Sequence, residues 1–267
     1  MSKRTAIFAA WSFALGVVAV LLPPIAQPAS YHAFADQRVI GGIPHFGDVV
    51  SNLAFFAVGV AGLCALLFGR TRKVFRHAGE RIPYLVFFFG VALIGAGSAY
   101  YHWAPGDTTL FWDRATMTLA FMALFAAVIA DRVDARFGVR YALPMLLLIG
   151  VSSVLWWRYH VDLRFYFVLG QVWPISSILL VAFLLYPRGN YISTRHVVLL
   201  ALLYGSAVAF EASDGIIWRL THHVISGHTL KHLAAAMSVG VILPMLYRLV
   251  PRSQRQVAES SEGCVTA

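Results

Sequence analysis

The chain is 267 residues long, 59% hydrophobic and only 12% charged, with a mean hydropathy of +0.71. Soluble domains carry roughly 25% charged residues, so half that share, with repeated apolar runs near twenty residues, excludes a water-soluble fold and indicates an integral membrane protein. The net charge of +9 does not point to nucleic acid, because the basic residues gather in short links between apolar runs, as in membrane proteins generally.

Residues 1–24 join Lys3 and Arg4 to an apolar run over 6–22 that Pro23 and Pro24 stop. A cleavable signal has the same layout, with small residues near Ala29 and Ser30. The run is long for a signal, so a retained first helix is the preferred reading. An irregular polar segment follows over 25–47.

Seven further spans are predicted over 49–69, 83–103, 110–130, 141–157, 164–186, 197–219 and 228–249. Ser51 and Asn52 open the first of these, Gln171, Trp173 and Pro174 lie inside the fifth, and the sixth holds Glu211, Ser213 and Asp214. A polar tail occupies 250–267, and no appended soluble domain or internal repeat is visible. Cys64 lies in an apolar run and Cys264 in the tail, so no disulfide is expected between them.

An inside N-terminus places fifteen of the 21 Lys and Arg on cytoplasmic segments, leaving Arg38, Arg114, Arg158, Arg164, Arg219 and Lys231 elsewhere. Eight spans with both termini cytoplasmic follow; signal cleavage would leave seven in the same orientation. In either case His102 ends an outward-going helix, whereas Asp113, His228 and His232 begin inward-going ones. These groups, distant in sequence, reach one depth near the non-cytoplasmic face.

The chemistry of that level is unusual for a bilayer, where polar groups are expensive. In Ser98-Ala-Tyr-Tyr-His102 the serine and histidine share one helix face, and Asp113 enters the next span eleven residues after His102. His228 and His232 repeat the four-residue spacing. Three imidazoles with an open fourth position suit a catalytic zinc ion, which lowers the pKa of a bound water to about 7. Asp113 would then orient the water or accept its proton, and Ser98 would hydrogen-bond that water or the oxyanion.

Each fragment has a plainer reading. Paired interfacial histidines often only hydrogen-bond backbone or headgroups, a serine bonds back to its own helix, and Asp113 suits a helix N-terminus. Joint arrival at one depth is what favours the metal. His222 and His223 precede the last span as loop residues able to substitute as ligands, and Glu211 and Asp214 either line the cavity or pair with Arg219 or Arg114. His32, His45 and Asp36 read as a solvated loop, and Tyr100, Tyr101, Trp103 and Trp112 as interfacial belt or packing. The absence of a phosphate-binding glycine loop, HExxH or GxSxG argues against nucleotide use and common soluble hydrolase plans.

Ser98, His102, Asp113, His228 and His232 together resemble the pattern of the alkaline ceramidase family of seven-helix membrane hydrolases. Its superfamily includes adiponectin- and progestin-type receptors and lipid-remodelling proteins of glycolipid anchors. The segment 45–52, His-Phe-Gly-Asp-Val-Val-Ser-Asn, is similar to that family's entry into its first helix, and the likeness covers about residues 36–249. The resemblance implies zinc on His102, His228 and His232, with Ser98 and Asp113 in the roles above, and hydrolysis of ceramide to a sphingoid base and a fatty acid. Two features depart from it. The region matching the calcium site of animal members, 31–45, offers only Asp36 as an acid, which makes Ca2+ doubtful. The helix at 6–22 would be an eighth span ahead of the family's seven.

The expectation is an all-α polytopic bundle, with a 25–249 ceramidase-like domain, acting as a zinc-dependent lipid amidase on a ceramide-like membrane substrate. The alternatives are a receptor-like or regulatory protein holding structural zinc, and a phospholipid or glycolipid ester hydrolase. Short tails without sorting signals suggest a bacterial inner membrane.

Overall fold

The computed structural model describes residues 2–68 and 74–246. Arg70, Arg72 and Lys73 of the first basic link, and the tail over 250–267, lie outside the described residues. Within them the chain is an all-α bundle with no strand beyond one isolated bridge between Ile40 and Ile43. Eight helices are long and apolar enough to cross a bilayer, which makes this a multi-pass membrane protein. They are α1 (Lys3–Leu21), α2 (Phe46–Phe68), α3 (Gly79–Trp103), α4 (Asp107–Arg132), α5 (Ala135–His160), α6 (Tyr166–Leu185), α7 (Thr194–Ala212) and α8 (Gly227–Leu246).

Most spans begin three to six residues before the apolar runs do. Hydropathy marks the lipid-facing stretch, whereas the helix continues until its backbone groups find other partners. The run predicted over 197–219 shows a larger difference. It breaks at Ser213, and a separate short helix, Asp214–Leu220, leaves α7. The Asp214 carboxylate accepts the backbone N–H groups of Ala35 and His228, both at 2.9 Å. Those long-range bonds hold Asp214 where a continuous helix would not put it.

α4 is the central rod: 72% of its spanning window is buried, against 6% for α1. α3 packs between α2 and α4, and α7 packs chiefly on α8. Small residues permit the closest approaches. A Cβ on Gly59 of α2 would come within 2.3 Å of the Ala92 nitrogen of α3, so any side chain there would force the two helices apart. A Cβ on Gly227 would meet the Phe210 carbonyl at 2.3 Å, so glycine lets the start of α8 press against the end of α7.

α1 and α2 are joined by residues 22–45, an extended strap crossing one end of the bundle. Ile25 donates to Asp162 at 3.1 Å and accepts from Leu163 at 2.8 Å. The Arg114 guanidinium donates to the Gln27 side chain at 2.6 Å and lies over the rings of Trp157, Tyr166 and Tyr31. His32 bonds the Tyr101 hydroxyl at 2.9 Å. Asp36 is wholly buried, in a fork with Arg38 at 2.7 and 2.8 Å and accepting the Gly47 N–H at 3.0 Å. Burial pushes its carboxyl pKa up, but the bonds from Arg38 and Gly47 prevail and hold it below the usual 3.8. This segment is therefore ordered by specific bonds, and the sequence reading of His32, His45 and Asp36 as solvated loop is corrected.

At the opposite end, Asp131 accepts the backbone N–H groups of Asn190, Tyr191 and Ile192 at 2.7, 2.8 and 3.1 Å. Arg132 donates to the carbonyls of Tyr186 and Ile192 at 2.8 and 2.6 Å. Tyr191 donates to Glu80, tying in the first turn of α3.

Candidate metal centre

His102 lies in the last turn of α3, and His228 and His232 lie in the first turns of α8. Ser226 caps α8 by accepting the Thr229 N–H at 2.9 Å. The His228 N–H, which has no partner inside a first turn, donates to Asp214. The four-residue spacing then stacks the His228 and His232 rings on one face, and the α3 contact brings His102 to meet them. The three ring centroids are 4.7, 4.8 and 4.9 Å apart, nearly an equilateral triangle. One ligand nitrogen from each ring lies within 4.8 Å of the others, and all three side chains are buried.

Hydrogen bonding assigns one of these nitrogens. Ser51 donates its hydroxyl to the Asp48 carbonyl at 3.1 Å, and the same oxygen lies 2.8 Å from His232 Nδ1. When the serine proton goes to that carbonyl, Nδ1 is the donor, which leaves the His232 Nε2 lone pair free for a ligand. Asp48 is itself fixed by the hydroxyls of Ser226 and Thr229, which donate to its Oδ1 at 2.8 and 2.7 Å.

The Nε2 atoms of His102 and His228 are 3.2 Å apart. Two facing lone pairs at that distance repel unless a proton or a cation lies between them. Two nitrogens held at about 2.0–2.1 Å on a tetrahedral ion would be separated by about 3.3 Å, so the spacing already fits shared ligation. Imidazole donors suit zinc, copper, iron or nickel. The triad can thus hold a metal ion, whose identity the ligands alone do not fix.

Ser98, one helical turn before His102 on α3, and Asp113, near the start of α4, are both buried and lie beside one another. All five residues named from sequence are therefore buried in one region, three of them as the triad and two as a neighbouring serine and aspartate. Other expectations fall away. Glu211 pairs with Lys231 rather than with Arg219 or Arg114, and Asp214 is occupied by backbone N–H groups. His222 and His223 occupy left-handed turn positions, φ +52° and +65°, with the His223 ring against Trp218, outside the triad.

Several participants were not found from sequence. Lys231 projects from between the two ligands of α8, with Nζ 3.4 Å from His228 Nε2. From sequence Ser51 reads only as a helix-start residue. Its role appears only because α2 and α8 are neighbours in space. Phe34 lies in the strap, yet its ring is 4.5 Å from that of His102 and 4.8 Å from that of His228. No protein family, curated protein or solved structure matches this chain.

Proposed function

We propose that the chain is a zinc-dependent intramembrane hydrolase of a lipid amide, with ceramide as the leading substrate. One observation carries this reading: three buried imidazoles converge in a membrane-spanning bundle beside a buried serine–carboxylate pair. The positive-inside count favours the non-cytoplasmic face for this end.

His102, His228 and His232 would hold the ion. Bound there, zinc supplies a Lewis acid and a water acidified to near neutral pKa. Ser51 keeps the His232 ring in the tautomer that ligation needs. Asp113 is the acceptor for the proton released when water attacks the amide carbon, and it returns that proton to the leaving amine. Ser98, beside that carboxylate, offers its single hydroxyl proton to the developing oxyanion. The Lys231 ammonium, held by Glu211, adds positive charge on the same side and favours charge building on the carbonyl oxygen.

The test is metal analysis of detergent-purified chain, followed by labelled ceramide and labelled phospholipid assayed side by side. About one zinc per chain and amide cleavage abolished in His228→Ala are expected. A folded chain without zinc would overturn the reading. Zinc with ester cleavage alone would move the substrate to a phospholipid or glycolipid anchor.

A further inference from the structure

We infer that Phe34 is a specificity-determining residue: it closes the aqueous approach to the histidine triad and so restricts the site to molecules dissolved in the bilayer. The inference rests on the metal reading above and adds to it the physical state of the substrate.

The strap over 22–45 links the end of α1 to the start of α2, so it must cross the bundle at the end where the triad lies. Phe34 is its innermost aromatic side chain at the triad, only 6% exposed, with its ring edge-on to His102 and His228 at 4.5 and 4.8 Å. A phenyl ring offers no ligand atom and no hydrogen bond, and at this position it takes space that water would otherwise occupy above two of the three ligands.

Its placement is enforced from both sides. The next residue, Ala35, donates its N–H to Asp214 Oδ2, while Asp214 Oδ1 holds the N–H of His228. One carboxylate therefore fixes both the plug and the ligand helix. Asp36 then bonds Gly47 at the start of α2, and Gln27 bonds Arg114 on α4.

The polar groups near the triad that keep some exposure lie to one side. Lys231 and Glu211, at the α7–α8 contact, have side chains 20% and 36% exposed. With the strap overhead, that flank between the spanning helices α7 and α8 is the remaining approach, and on the reading above it is reached from the bilayer.

The experiment compares two chelators with one binding core, bathophenanthroline and its membrane-impermeant disulfonate, on zinc-loaded protein in lipid nanodiscs. In the unaltered chain the apolar chelator should remove zinc about tenfold faster or more, since the sulfonates resist passage beneath an apolar plug. Phe34→Ala should bring the two rates within about threefold by opening a wet route, and Phe34→Leu should keep the contrast because it keeps an apolar side chain. Equal stripping rates in the unaltered chain would overturn the inference without any variant having to fold. So would an unchanged contrast in a folded Phe34→Ala protein. Zinc that obeys these rates in a chain that cleaves no lipid amide would retain the plug and remove the proposed reaction; a chain that loads no zinc would overturn both.

Discussion

The two ends of the bundle both bury charged and polar side chains, and they treat them oppositely. At one end, Asp131 spends both carboxylate oxygens on three backbone N–H groups, and Arg132 reaches backbone carbonyls with both terminal nitrogens. These groups tie helix ends and links together, with Arg132 Nε the one nitrogen of that pair left without a partner. At the other end, the His102 and His228 Nε2 atoms face each other at 3.2 Å, and buried His102 Nδ1 has no partner. Buried polar groups that satisfy one another make structure, whereas lone pairs left converging cost stability unless something binds them. The contrast separates architecture from site without appeal to any relative.

The comparison breaks most sharply at the ligands. His232→Ala should drop metal content from about one to below about 0.1 per chain, because the two imidazoles left, His102 on α3 and His228 on α8, cannot make a three-ligand site; elemental analysis decides it. Asp113→Asn should keep the metal and lose roughly 10²–10⁴ in turnover, the range for a lost general base. Equal losses of metal and activity would make Asp113 merely structural. Arg132→Met at the opposite end should cost about 1.5–3 kcal/mol by leaving the Tyr186 and Ile192 carbonyls without their charged donor, read as thermal unfolding, with metal per folded chain unchanged. Ser51→Ala should weaken metal binding about 10–100-fold while preserving turnover per bound ion, which competition with a calibrated chelator resolves.

The smallest effect sharpens the strap. The Asp36 carboxyl is held below its ordinary 3.8, so its contribution is fully present above that value and fades as pH falls through the lower folded value. Asp36→Asn should therefore lower stability by about 1 kcal/mol from neutral pH down to moderately acid pH, with the gap to the unaltered chain closing only below pH 3.8. A gap that closes already near pH 6 would place its origin elsewhere.

Much of this was legible before any coordinates. Composition and run length dictate a helical bundle, because a backbone in lipid must satisfy its own hydrogen bonds. Alternating span direction brings His102, Asp113, His228 and His232 to one level. Four-residue spacing makes His228 and His232 a stacked pair. These conclusions depend only on helix geometry and bilayer thickness, both local or global constants.

What remained hidden depends on which helices touch. Ser51 and His232 are 181 residues apart and meet only because α2 lies beside α8. Glu211 found Lys231 rather than the arginines, and Asp214 left its helix to bind Ala35 and His228. Phe34 looks like any loop aromatic until the strap folds across the triad. Periodicity decides the face a residue occupies along its own rod; the rotation and neighbours of that rod are set by side-chain packing summed over the whole bundle. The sequence by itself determined the fold class and the depth of the candidate ligands, and tertiary packing alone decided what orients them and what covers them.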